Sequence, residues 1–232
     1  MSDVHAGDGV VFDLTGVEPG DGDGSDAVLD LAGGAPPPVD PEAAELAGQI
    51  ADQVASFLLA LRAIAQEEDA GRAVSLLLLE VSQVLLAGAR LGVQRDFDPA
   101  EEFEPDAGPD PDLDELRLRL ARLLDGVDLF TEVFDPYTLD AEGRTELVEA
   151  SLSDDLTSVA SALAHGLLHF RAGRVMEALW WWQFSYVASW GSEASGALRA
   201  LQSIVAHDRL DADFAGEVER VAAADEMLER RG

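Results

Sequence analysis

The chain has 232 residues, with 46 acidic side chains against 15 basic ones and a formal net charge of −31. A field of that sign repels nucleic acid and anionic lipid and attracts basic proteins, so no nucleic-acid and no membrane ligand is expected. Cysteine is absent, which excludes disulfides, thiolate nucleophiles and cysteine-held zinc and fits a reducing compartment, the cytoplasm.

The acidity is unevenly spread. Eleven Asp or Glu and no Arg fall within residues 1–45, and ten more lie between Asp96 and Glu115. All fifteen basic residues are arginine, as a GC-rich coding sequence would produce. Residues 1–39 mix Gly, Asp and Pro around two short apolar islands, Val10 to Phe12 and Val28 to Leu31, and read as a disordered acidic tail. The N-terminus has neither the positive charge nor the apolar run of a secretory signal.

A helical domain is expected over 40–232. Asp40 and Pro41 form a helix start, and Leu46, Ile50, Val54, Phe57, Leu58, Leu61 and Ile64 follow at helical spacing, to an end near Asp69-Ala70-Gly71. Residues 72–92 predict a second helix, apolar almost throughout, closed by Gly92 and placed inside a bundle. Its length approaches a membrane span, but Glu80, Ser82 and Gln83 sit at its middle. Residues 94–112 carry Pro99, Pro105, Pro109 and Pro111 and predict a long exposed acidic loop. Leu113, Leu116, Leu120, Leu123 and Leu124 mark a third helix capped by Asp112 or Asp114. Residues 127–139 are β-prone and predict one short strand or an extended connector, with a turn at Asp135-Pro136.

Ser151 and Asp154 have capping-box spacing, so a fourth helix begins near 152, with Leu156, Val159, Ala160, Leu163, Leu167 and Phe170 as its core stripe. After Gly173 comes a helix that holds all four tryptophans. Val175, Leu179, Trp182, Tyr186 and Trp190 share one face; Trp180, Trp181, Phe184, Val187 and Ala188 share the other, so burial on both sides and a stop at Gly191 are expected. Further helices are expected at about 192–207 and 213–230. With no sustained period-two alternation, the fold class is all-α, a helical bundle. Gly166, Ala178 and Trp182 match the small, small and aromatic positions of one tetratricopeptide-like (TPR-like) hairpin, without a second copy at a fixed period.

Chemistry is harder to find. His165 and His169 have the spacing of two zinc ligands on a helix, but they point away from the Leu163 stripe and read as solvent-facing. Asp154 and Asp155 with Glu132 or Asp135 offer magnesium ligands, though a helix start explains the two aspartates equally well. No catalytic motif stands out, and no cofactor or bound metal is expected.

At Phe134-Asp135-Pro136-Tyr137, Ser151-Leu152-Ser153-Asp154-Asp155-Leu156, Ala172-Gly173-Arg174, Ala178-Leu179-Trp180, Trp190-Gly191 and Ala197-Leu198-Arg199-Ala200-Leu201, the chain resembles an uncharacterised bacterial family, domain of unknown function 5063. The resemblance spans roughly residues 45–207 and implies no activity. This chain has Ala188-Ser189 before Trp190, where the family resemblance implies a more polar pair.

The expected function is that of a cytoplasmic protein-protein interaction module for a basic partner. Trp181 is the candidate aromatic contact, and Asp96, Asp98, Glu101, Glu102 and Glu104 are the candidate electrostatic docking residues. Two rival readings are a metal-dependent hydrolase using Asp154, Asp155, His165 or His169, and an acidic nucleic-acid mimic acting on a DNA-repair protein.

Overall fold

The computed structural model describes residues 39–99, 106, 108–133, 135, 137–140 and 143–209. The expected acidic tail, the helix at 213–230 and docking residues Glu101, Glu102 and Glu104 lie outside the described residues. Within them the fold is mainly helical, with one two-stranded sheet.

Helix α1, Pro41–Ile64, starts where the sequence places it, because the Asp40 carboxylate accepts from the Glu42 amide and Pro41 needs no donor there. It stops at Ile64, earlier than expected. Asp69 then caps α2, Ala70–Gly92, accepting from the amides of Gly71 and Arg72 at 2.9 and 3.2 Å. The two helices pack together through Ile50, Val54, Phe57 and Leu61 on one side and Val74, Leu77, Val81 and Val84 on the other. Although α2 is long and apolar enough to cross a bilayer, it packs against α1 and α5. Its expected place inside the bundle is corrected on one side: Leu79 and Leu86 lie exposed on its outer side. The helix does end at Gly92, as expected, with an ordinary negative φ there, and Gly92 lies against the Tyr186 ring.

Helix α3, Asp114–Leu123, carries the expected leucine stripe, and Asp112 accepts from the Asp114 amide at 3.0 Å. Next comes strand β1, Leu129–Val133, in the segment expected to be extended. Its antiparallel partner, β2 Leu147–Ser151, was not foreseen, so the all-α expectation is refined to a mainly helical fold with one hairpin. The strands pair from Leu129 with Ser151 to Val133 with Leu147, which puts Phe130 opposite Ala150 and Glu132 opposite Val148 on the half-buried face. An isolated hairpin is marginal in water. Here Asp128 anchors it to α4, Leu152–Arg171: its carboxylate accepts from the Ser153 amide and hydroxyl, both at 2.8 Å, and from the Ser151 hydroxyl.

The hairpin of α4 with α5, Val175–Ser185, is the tightest seam. Trp182 is fully buried, its indole N–H donates to the Leu163 carbonyl at 3.0 Å, and its ring occupies the space a side chain at Gly166 would need. A π-helical turn, Tyr186–Trp190, follows and continues into α6, which runs from 191 to 209.

Two expectations about this region are overturned. Gly191 is not a stop: its φ of −65° is ordinary helix, and its amide donates to the Tyr186 carbonyl across the wide turn. A Cβ there would stand 2.5 Å from that same carbonyl oxygen, which is why the position holds glycine. The tryptophan helix is also not buried on both sides: α1, α2 and α4 pack against α5 but leave part of its circumference uncovered. Phe184 and Val187 are left 54% and 75% exposed there.

Candidate functional site

Two regions offer something other than packing. The first is the outer side of α5, where the rings of Trp180 and Phe184 stack in parallel, 9° between planes and 5.5 Å between centres. Val187 extends this surface by one turn. Next to it, the buried Gln183 holds the segment after α2 in place: its amide nitrogen donates to the carbonyls of Leu91 and Arg95, and its oxygen accepts from the Phe97 amide at 2.9 Å. Phe97 packs onto the core, while its neighbours Asp96 and Asp98 are exposed. One glutamine of α5 thus fixes the backbone between two exposed carboxylates.

Trp181, the aromatic singled out from sequence, is half-buried. Its indole N–H donates to the Ala162 carbonyl at 2.8 Å, and its ring lies 4.3 Å from that of His165. The solvent-facing expectation for the two histidines is corrected: His169 is fully buried, and His165, mostly covered, meets the Asp110 carboxylate at 2.7 Å through Nδ1. The reason is the width of the packed arc on α4, which is covered by α1, α3 and α5, whereas a single leucine stripe implies one neighbour. Arg174 also donates to the Asp106 carbonyl at 2.7 Å, so the described end of the acidic loop is tied down although it has no regular structure.

The second region is the corner where β1, the start of α4 and α6 converge. Glu132, Asp155 and Glu193 come together there, and no described arginine or histidine forms an ion pair with any of them. Asp155 Oδ2 and Glu193 Oε2 are shut off from solvent without a hydrogen-bond partner. Burial, then the charges of Glu132 and Glu193, with Asp154 and Asp128 adding less, push the Asp155 carboxyl up to about 7. Burial and Glu193 likewise raise Glu132. Against Glu132 lies Gly196, where any Cβ would collide with the carboxylate.

The four residues of the hydrolase reading do not form one centre. Asp155 and His165 are ten residues apart on the same helix, about 15 Å along its axis. Among the described residues, no group of three His, Asp or Glu side chains is placed to hold a metal ion.

The model of the family described as a domain of unknown function, number 5063, matches residues 41–207. This chain belongs to that family. The match runs from the first residue of α1 almost to the end of α6, so in this 5063 member both the aromatic face and the acidic corner lie inside the family domain. A crystal structure of protein BF1032 from Bacteroides fragilis shares the fold at a TM-score of 0.52 and 17% identity, over 67% of this chain and 89% of that one. No curated protein matches the sequence.

Sequence reasoning had named Glu132 and Asp155 as possible metal ligands but missed Glu193, Gln183 and Asp128. Glu193 sits on a helix whose register depends on the π turn, and Gln183 looks like one polar residue in an aromatic run. A buried glutamine in an otherwise apolar segment was the available signal, since such a group needs partners.

Proposed function

We propose that this member of the 5063 family is a cytoplasmic protein-protein interaction module whose outer α5 face receives a basic amphipathic segment of a partner protein. The observation that carries this reading is the stacked pair of half-buried Trp180 and exposed Phe184, on a helix whose Gln183 also fastens the backbone of the acidic segment at Phe97. Aromatic side chains supply a large contact area at small entropic cost, and flanking carboxylates speed encounter with a cationic surface. Trp181 contributes from beneath, since its indole N–H is already satisfied by Ala162 and only part of its ring is open. The charge of −31 favours a basic partner over an acidic one at long range, within a Debye length of about 8 Å at physiological salt.

The test is affinity capture with the full chain at low and high salt, in parallel with two variants. One replaces Trp180 and Phe184 by serine; the other neutralises Asp96, Asp98, Glu101, Glu102 and Glu104 together. A partner with a basic patch should be held by the wild type at low salt, lost from the aromatic variant, and weakened by salt and by the acidic variant alike. A partner indifferent to both variants would overturn the reading.

A further inference from the structure

Between β1 and α6 lies a cavity of about 410 Å³, within the range of small-molecule sites. Val127, Phe130 and Ile204 give it apolar walls, and Glu132 brings a carboxylate to the lining. Among the described residues Glu132 has neither an ion-pair nor a hydrogen-bond partner, although Arg199 lines the same cavity. Arg199 is exposed, so water solvates its charge, whereas Glu132 is half-buried and electrostatically coupled to the carboxylates of Glu193 and Asp155.

We propose that this cavity binds a small organic cation with an apolar body, a primary ammonium or guanidinium group whose hydrocarbon part lies on Val127, Phe130 and Ile204 while its charged head meets Glu132. An ammonium brings three donors and a guanidinium five, enough for Glu132 with none left facing hydrocarbon. An anion in the same place would face Glu132 with Glu193 and Asp155 behind it. A divalent ion would need about six oxygen ligands, which these apolar walls do not supply. The site shares no residue with the α5 face, so the two readings stand or fall separately.

The probe is hexylammonium, titrated into the full chain at neutral pH by calorimetry and by the methyl resonances of Ile204, with hexanol and hexanoate as neutral and anionic counterparts. Hexylammonium should bind saturably in the millimolar range or better, at least about tenfold more tightly than hexanol, and hexanoate should not bind. Glu132→Gln should lower the hexylammonium affinity by about tenfold or more and leave hexanol unchanged. Ile204→Trp fills the cavity while leaving all three carboxylates in place, and should abolish binding of both. The proposal is overturned if hexanol binds as well as hexylammonium, if no saturable binding occurs, or if Ile204→Trp leaves affinity intact. Mg2+ shifting the Ile204 methyls where hexylammonium does not would overturn it as well.

Discussion

The α4–α5 seam and the corner of β1, α4 and α6 are made from the same chain within a few turns of each other, yet they treat polar atoms in opposite ways. At the seam both indole N–H groups, of Trp181 and Trp182, find carbonyls one helix away, and Gly166 gives up its side chain to let Trp182 in. At the corner Gly196 makes the same concession, but to a carboxylate, and Asp155 and Glu193 are left with buried oxygens that no described residue satisfies. A buried unpaired charge costs stability, whereas a satisfied buried donor does not. The seam is therefore built for the fold, and the corner carries a cost that a bound cation would relieve.

The difference can be tested from the seam outward. Trp182→Ala removes a fully buried indole and should lower stability by on the order of 3–5 kcal/mol, enough to bring the domain near unfolding in a urea titration. Gly166→Ala pushes a methyl into the same indole and should cost about 1–3 kcal/mol by the same measurement. A loss as small as that of an ordinary surface substitution would mean that the seam is looser than its geometry. At the corner, Asp128→Ala removes the carboxylate that accepts from the Ser153 amide and hydroxyl at the start of α4 and should cost about 1–2 kcal/mol, with faster amide exchange at Ser153 than at residues of α5.

The opposite sign is expected one turn later. The Asp155 carboxyl holds its proton up to about 7 in the folded chain against an ordinary 3.8, so the folded state binds the extra proton between those values. Its contribution favours folding below the ordinary carboxylate range and is lost as pH rises through about 7. Asp155→Asn should therefore raise the unfolding free energy above pH 7 by roughly 1–2 kcal/mol once partial exposure is discounted, seen as a higher melting temperature, and change little near pH 4. A variant less stable than wild type at pH 8 would show that Asp155 is paired after all. The smallest effect is expected on the outer α5 face: Phe184→Ser should alter stability by less than about 1 kcal/mol while weakening capture of the partner.

The local chemistry of helix ends was readable without a structure. Asp40 with Pro41, and Ser151 with Asp154, marked the starts of α1 and α4 because caps act over three or four residues of adjacent chain. The 3.6-residue period likewise picked out Trp182 as inward, as its neighbours Leu179 and Tyr186 lie on the same face. What periodicity leaves open is how much of a helix its neighbours cover. On that point α2 and α5 came out more exposed than their apolar content implied, and His165 and His169 more buried than their place beside a leucine stripe implied.

The candidate sites show the same division. Acidic loop residues and an aromatic run can be read one by one, and Asp96, Asp98, Trp180 and Phe184 are visible in this way. That Gln183 would fasten Phe97 from 86 positions away, or that Glu132, Asp155 and Glu193 would converge from a strand and two helices, depends on how those elements cross. The sequence by itself determined the acidic, cysteine-free composition, most helix starts and the inward tryptophan, all of which follow from single residues or from spacing within one element. Only the tertiary structure decided the β1–β2 pairing, the open face of α5 and the unpaired carboxylates at the corner, because each depends on distances between segments that a one-dimensional pattern does not contain.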